Sequence, residues 1–168
     1  RVLETAAGTG ILTAALSRAI PEAEIVATDL NPEMIAFAVQ RVTSERVVFE
    51  RADAMALPNP DASFDVTVCQ FGIMFIPDKV KANREARRVL NAGGHYVLVA
   101  FDRIALNPIP RAAGQAVNAL FPDRPLEYMQ LGPFSYSDPV RIGEDLKTAG
   151  FRDVDLQTCE LSSRVTAR

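Results

Sequence analysis

The feature that most constrains the fold is a regular alternation of short apolar runs with segments of helical periodicity. The first apolar run, Val2–Thr5, leads through Gly8-Thr9-Gly10 into a helical stretch. Four more runs follow, at Glu24–Thr28, Arg46–Glu50, Phe64–Gln70 and His95–Phe101. Such alternation is typical of a parallel sheet whose strands are joined by helices. We therefore predict an α/β fold with a doubly wound, mostly parallel sheet and helices on both of its faces.

Two helix starts carry strong local signals. Asn31 precedes Pro32, and Asp138 precedes Pro139. Each pair places a capping side chain before a proline in the first helical turn. A further helix is predicted over Asp78–Leu90. The alternation ends with a predicted last strand over Phe151–Leu161.

Residues 104–139 differ in character, because six of the eleven prolines lie there and only one helical pattern, Arg111–Leu120, interrupts them. Long connections of this kind are more often functional than idle. At 168 residues the chain is about one domain long, so residues 1–168 are predicted to form a single domain with 104–139 as an insertion. Because Val2–Thr5 begins with no preceding element to cover it, we expect this domain to be incomplete at both ends.

Charge and cysteine content exclude several classes of protein. Eighteen Lys and Arg against 21 Asp and Glu give a net charge of -3, which argues against a nucleic-acid partner. The basic run Arg84–Arg88 is expected to be a solvated helix face. No apolar run is long enough for a membrane span, and two cysteines with one histidine are too few for a disulfide framework or a zinc site. We expect a cytoplasmic protein without a bound metal.

The strongest chemical signal is the segment from Glu4 to Gly10, at the first strand-to-helix turn. Gly8 and Gly10 let the backbone turn sharply and approach a ligand closely, while the following helix N-terminus offers free N–H groups. Asp29 ends the second strand, where a carboxylate can accept both hydroxyls of a ribose. The pattern predicts a ligand that carries an unphosphorylated ribose.

Two kinds of ligand remain open on this pattern alone. A nicotinamide dinucleotide would use the same loop, but its fingerprint places a small residue where this chain has Thr13. A carboxylate at Glu4 would repel a pyrophosphate and would suit a ligand that bears an ammonium group. The charge pattern therefore favours a zwitterionic ligand.

Several motifs together resemble the class I S-adenosylmethionine-dependent methyltransferases, in the small-molecule branch similar to the ubiquinone and menaquinone biosynthesis C-methyltransferases. The resemblance extends over nearly the whole chain. It is carried by Val2-Leu3-Glu4 to Gly10, Asp29, Arg51-Ala52-Asp53-Ala54, Ser63-Phe64-Asp65-Val66 and Arg88-Val89-Leu90-Asn91-Ala92-Gly93-Gly94. It implies a Rossmann-like methyltransferase fold and the cofactor S-adenosylmethionine, with S-adenosylhomocysteine as product.

The resemblance also implies roles for individual residues. The predicted cofactor-binding set is Glu4, Ala6, Gly8, Gly10, Asp29, Leu30, Met34, Asp53, Ala54, Cys69 and Gln70. In this set Ala6, Gly8 and Gly10 line the methionine part, and Glu4 orients its amino group. Asp29 binds the ribose, Met34 packs on the adenine, and Asp53 with the backbone of Ala54 reads the adenine amino edge. Cys69 and Gln70, with Phe71, form the floor of the methyl-transfer site.

Simpler roles stay open for some of these residues. Asp29 and Asp53 are also suited to capping a helix or a turn, and Met34 to packing in the core. The three overall hypotheses are a methyltransferase acting on a small hydrophobic or aromatic acceptor, a nicotinamide-dependent oxidoreductase, and a binding module without turnover. A homodimer is possible under each of them.

No catalytic residue is assigned from the sequence. Methyl transfer from a sulfonium releases a neutral thioether, so positioning is the main task of the protein. If the acceptor must lose a proton, the candidates by sequence are Asp78, Asp102, Tyr128 and Tyr136, and the sequence does not rank them. Residues 104–139 are expected to form the acceptor side of the pocket.

Overall fold

The structure is a computed structural model that describes residues 1–123 and 127–162. Its centre is a five-stranded sheet in the order β3-β2-β1-β4-β5, with every neighbouring pair parallel. The strands are β1 Val2–Thr5, β2 Ile25–Asp29, β3 Val47–Arg51, β4 Phe64–Gln70 and β5 Leu90–Val99. The predicted parallel α/β sheet is therefore confirmed.

The helices connect these strands and extend beyond them. They are α1 Ile11–Ala19, α2 Pro32–Arg41, α3 Lys79–Val89, α4 Pro108–Leu120, α5 Tyr128–Leu131 and α6 Pro139–Thr148, with short 3₁₀ turns at Ile73–Phe75 and Ile104–Leu106. Asn31 accepts a hydrogen bond from the N–H of Glu33, and Asp138 accepts one from the N–H of Val140. Both predicted helix starts are confirmed. None of the helices in the described ranges is long and apolar enough to cross a membrane.

The two faces of the sheet have separate apolar cores. The strand order reverses after β3, so right-handed crossovers place α1 and α2 on one face and α3 on the other. Val2 packs with Leu12 of α1 on the first face. Leu3 and Val26 pack with Val89 of α3 on the second. Burial on both sides explains why the central strands read as continuous apolar runs.

The predicted last strand over Phe151–Leu161 is wrong. Residues 151–162 form no strand and pair with none of the five strands. An extended segment becomes a strand only when a neighbour supplies N–H and C=O partners, and this segment makes side-chain contacts instead. The ring of Phe151 stacks on that of Tyr96 in β5, with 5.3 Å between the centroids.

Two other element boundaries differ from the prediction. β5 begins at Leu90 and not at His95, and its pairing with β4 shifts register between Phe64 and Val66. In the insertion, α4 begins at Pro108 and not at Arg111. A register shift and a proline in the first helical turn are both compatible with regular structure.

Candidate functional site

A cavity of about 510 Å³ lies at the carboxyl ends of β1, β2 and β4. It is at the point where the strand order reverses, which is where open parallel sheets bind their ligands. Its volume is in the range of small-molecule sites. The lining residues are Ala6, Gly8, Asp29, Leu30, Asn31, Met34, Ala52, Asp53, Ala54, Met55, Phe71, Gly72, Phe75, Ile76 and Pro77.

The structure brings most of the predicted cofactor residues to this cavity. Those on its wall are Ala6, Gly8, Asp29, Leu30, Met34, Asp53 and Ala54. Glu4, Gly10, Cys69 and Gln70 do not line it. The first group follows the ends of β1, β2 and β3, whereas the second lies within strands or behind the glycine loop.

The two loop glycines have different environments. Gly8 has a φ of +56°, and a Cβ placed on it would meet nothing within 4 Å, so the loop backbone faces open space. Gly10 has a φ of +74°, and a Cβ there would come 3.0 Å from the Cβ of Ala38 in α2. Gly8 therefore keeps the cavity open, while Gly10 permits the close approach of α2.

Asp29 connects the glycine loop to the start of α2. Its Oδ2 accepts a hydrogen bond of 2.8 Å from the N–H of Gly8, and its Oδ1 accepts one of 2.9 Å from the N–H of Asn31. The carboxylate thus shapes the cavity wall and also faces the cavity. The carboxylate therefore has a local capping role. It also has lone pairs that these two N–H groups do not use, and a ligand can donate hydrogen bonds to them.

Asp53 is arranged in a similar way after β3. Its Oδ1 accepts a hydrogen bond of 2.8 Å from the N–H of Met55, which closes a short turn. Asp53 and its neighbour Ala54 line the cavity. The second carboxylate is therefore also held in place by a backbone N–H.

Glu4 lies behind the loop and is only 2% exposed. Its Oε2 accepts a hydrogen bond of 2.6 Å from the hydroxyl of Thr13 in α1. Burial, with a smaller contribution from the charge of Asp29, raises the pKa of Glu4 to about 7, although the bond from Thr13 opposes the shift. Thr13 is the residue that departs from the dinucleotide fingerprint, and its hydroxyl serves as the partner of Glu4.

The end of β4 supplies the other side of the cavity. Cys69 is fully buried, and burial raises the pKa of its thiol, which disfavours a nucleophilic thiolate. Phe71 lines the cavity with a φ of +53°. Its ring stacks on that of Phe101, with 4.2 Å between the centroids.

Part of the wall was missed by the sequence reasoning. Met55, Gly72, Phe75, Ile76 and Pro77 line the cavity but belong to turns that follow β3 and β4. The positions of Phe75, Ile76 and Pro77 depend on tertiary packing, and no local pattern marks them. Met55 and Gly72 each adjoin a residue predicted for the site, as do Asn31 and Ala52, which also line the wall, so proximity in sequence was the available signal for these four.

None of the four candidates for proton removal lines this cavity. Asp78 caps α3 by accepting a hydrogen bond from the N–H of Lys81. Tyr136 is buried and donates a hydrogen bond to Asp145. Asp102 lines a different cavity, of about 300 Å³, and Tyr128 lies on the surface of α5.

Comparison with known proteins identifies the class of protein. Residues 2–94 match the family described as a methyltransferase domain. The chain belongs to the class I S-adenosylmethionine-dependent methyltransferases. The cofactor of this class is S-adenosylmethionine, and the family does not favour the nicotinamide alternative.

Two relatives indicate which branch of this class the chain resembles. A demethylmenaquinone methyltransferase from Deinococcus radiodurans is 32% identical in an alignment of length 170, which covers 90% of this chain and 68% of that protein. A ubiquinone/menaquinone biosynthesis C-methyltransferase from Yersinia enterocolitica is 37% identical over 117 residues, which cover 67% of this chain and 47% of that protein. This chain therefore spans about half the length of the Yersinia enterocolitica protein.

A solved structure supports the fold assignment. The YcgJ protein from Bacillus subtilis superposes with a TM-score of 0.66 at 27% identity, over 89% of this chain and 60% of that one. Its match covers most of the described elements. The Rossmann-like methyltransferase fold implied by the sequence is confirmed.

Proposed function

We propose that the protein carrying this chain transfers a methyl group from S-adenosylmethionine to a small hydrophobic or aromatic acceptor. The observation that carries this proposal is the division of the cavity wall. Asp29 ends β2 and Asp53 follows β3 on one side of β1, whereas Phe71 and Phe75 follow β4 on the other side. A polar half suits a nucleoside, and an apolar half suits an acceptor of low polarity.

The residues on the polar half are compatible with the cofactor. Gly8 leaves space where a side chain would stand, and Asp29 has acceptor capacity for ribose hydroxyls. Met34 would pack on the adenine, and Asp53 with the backbone of Ala54 would read its amino edge. Glu4, behind the loop, would favour the ammonium group of the methionine part when its carboxyl is ionised.

The relatives' names suggest a class of acceptor. One is named for methylating demethylmenaquinone and another for C-methylation in ubiquinone and menaquinone biosynthesis. Quinols of these kinds have a planar aromatic ring and low polarity. We propose such a ring as the acceptor, bound between the apolar half of the cavity and residues 104–139.

The chemistry asks mainly for positioning. When bound, S-adenosylmethionine supplies an electrophilic methyl group on a sulfonium, and the sulfur leaves as a neutral thioether. The task of Asp29 and the glycine loop is to fix one reactant, and the task of Phe71 and Phe75 is to fix the other and exclude water. Holding two reactants in line supplies on the order of 7–11 kcal/mol. We therefore assign binding and orienting roles and no catalytic base.

Calorimetric titration with S-adenosylhomocysteine tests the cofactor half. Asp29→Ala should weaken binding by about 1–3 kcal/mol, because the ribose hydroxyls lose a charged partner. Asp138→Ala is the matched control, since it removes a capping carboxylate from α6, away from the cavity. Equal affinities of a folded Asp29→Ala variant and the wild type would refute the assignment.

A transfer assay with labelled S-adenosylmethionine tests the acceptor half. The panel should contain a naphthoquinol, a simple phenol and an aliphatic alcohol. We expect label to enter the naphthoquinol first. Tight binding of S-adenosylhomocysteine without transfer to any acceptor would favour the alternative of a binding module without turnover.

A further inference from the structure

Three phenylalanine rings contact one another in series, from the cavity into the insertion. The rings of Phe71 and Phe101 are nearly parallel, with an interplanar angle of 12° and 4.2 Å between centroids. Phe101 is also in contact with Phe134, at 5.2 Å and 37°. Phe71 follows β4, Phe101 follows β5, and Phe134 belongs to residues 104–139. These ring contacts join the cavity wall to the insertion.

The backbone at Phe71 is in a conformation that non-glycine residues rarely adopt. Its φ of +53° lies in the left-handed region, where a bulky side chain is unfavourable. The N–H of Phe71 donates a 2.9 Å hydrogen bond to the carbonyl of Val99 at the end of β5, which holds this conformation. A strained backbone conformation that is retained at a cavity wall points to a functional role for the residue that adopts it.

Part of the Phe71 residue remains exposed. Phe101 stacks on one face of its ring, yet Phe71 is 38% exposed and lines the cavity. Gly72, the next residue, is in direct contact range of Ala6 in the glycine loop. The cavity wall at Phe71 and Gly72 is therefore close to the part of the loop where the methionine end of the cofactor is proposed to lie.

We propose that Phe71 stacks against the planar ring of the methyl acceptor and selects aromatic over aliphatic acceptors. Phe101 and Phe134 are positioning residues, because they fix the plane of the Phe71 ring without lying on the acceptor themselves. This inference rests on the proposed function and deepens it. Offset stacking of aromatic rings contributes beyond the burial of apolar area, which makes ring shape a basis for selection.

The test measures binding of 2-methyl-1,4-naphthoquinone to the protein saturated with S-adenosylhomocysteine. Phe71→Leu should raise the Kd for the naphthoquinone about 3- to 10-fold, because it removes the flat ring and keeps an apolar side chain. The Kd for S-adenosylhomocysteine should stay within about twofold. Phe71→Tyr, which keeps the ring, should bind the naphthoquinone like the wild type.

Two further variants separate stacking from general packing. Phe37→Leu is the matched control, because Phe37 is an exposed ring on α2 that does not line the cavity. It should leave both Kd values unchanged. Phe134→Leu should raise the KM for a naphthoquinol acceptor and leave kcat within about twofold, as expected for a residue that acts through its neighbour.

The possible outcomes distinguish this inference from the proposed function. Loss of S-adenosylhomocysteine affinity in Phe71→Leu would place the ring against the cofactor and overturn the inference. An unchanged naphthoquinone Kd in that variant, or failure of the loaded wild-type protein to bind the naphthoquinone, would also overturn it while leaving methyl transfer to another acceptor intact. Failure of the wild type to bind S-adenosylhomocysteine at all would instead refute the proposed function.

Discussion

The contact between Ala6 and Gly72 determines how closely the glycine loop can approach the end of β4. A Cβ placed on Gly72 would come within 2.4 Å of the Cβ of Ala6 and 3.2 Å of the Sγ of Cys69. Ala6 itself has a φ of +53°. The two small residues are therefore matched in size, and neither can grow unless the other shrinks.

Gly72→Ala should destabilise the protein by about 1–3 kcal/mol, because the new methyl group overlaps with Ala6. In an Ala6→Gly background at least half of this cost should disappear, since the overlapping atom is gone. A double-mutant cycle from chemical denaturation measures this coupling. Gly114→Ala is the control, because a Cβ at Gly114 in α4 would meet nothing within 4 Å. Additive effects of the two loop substitutions would contradict the size match.

The buried carboxyl of Glu4 makes stability depend on pH in a defined direction. Its pKa is raised from 4.5 to about 7 by burial, so the folded chain keeps this proton at pH values where the unfolded chain has released it. Stability contributed by this group is therefore present below pH 4.5 and is lost as the pH rises through about 7. Relative to Glu4→Gln, the wild type should lose about 3 kcal/mol of unfolding free energy across this window. Denaturation of both proteins at pH 4.5 and pH 8 measures the difference, and parallel pH profiles would contradict it.

At the scale of elements, Arg88 fastens the turn before β4 to α3. Its guanidinium donates two hydrogen bonds of 2.8 Å to Glu85 on the same helix. It also donates to the carbonyls of Leu57 and Asn59 and to the carboxylate of Asp61. The expectation of a solvated face over Arg84–Arg88 is wrong for Ala86, which is buried, and for Arg88, which is partly buried.

Arg88→Met should lower the unfolding free energy by about 2–3 kcal/mol, because several carbonyl and carboxylate groups lose a charged donor together. Arg87→Met, on the exposed side of the same helix, should change it by less than about 0.5 kcal/mol. Denaturant titration of both variants provides the comparison. Equal effects of the two substitutions would show that the hydrogen bonds of Arg88 do not stabilise the fold.

The elements that could be predicted from the sequence are those with local causes. Asn31 and Asp138 marked their helices because capping and proline geometry act within one turn. Phe151–Leu161 has the composition of a strand, but strand formation depends on a neighbour that composition does not reveal. The same reasoning applies to the site: Asp29 was predictable from its place at a strand end, whereas Phe75 and Ile76 line the cavity only because of how their turn packs.

At the scale of the whole molecule, residues 104–139 are not one unit. Phe134 and Tyr136 are buried against the body, and the hydroxyl of Ser135 donates to the carbonyls of Gly132 and Met74. By contrast, α4 and α5 contain no buried residue. The C-terminal part of the insertion therefore belongs to the core, and these two helices lie on the surface. The expectation that the segment forms the acceptor side stays a proposal for α4 and α5.

The two tyrosines of this segment should separate these roles. Tyr136 is 1% exposed and donates a 2.9 Å hydrogen bond to Asp145, so Tyr136→Ala should cost about 3–5 kcal/mol of stability and Tyr136→Phe about 1 kcal/mol. Tyr128 is 59% exposed, and a Cβ placed on Gly132 would lie 3.6 Å from its ring and 3.6 Å from that of Phe75 on the cavity wall.

Tyr128→Ala should change stability by less than about 0.5 kcal/mol. It should nevertheless raise the KM for the acceptor while leaving S-adenosylhomocysteine affinity unchanged, because it removes a ring beside the apolar half of the cavity. Denaturation, calorimetry and acceptor kinetics on the three variants measure these effects. If Tyr128→Ala lowered stability as much as Tyr136→Ala, α5 would be part of the core and the division of the insertion would be incorrect.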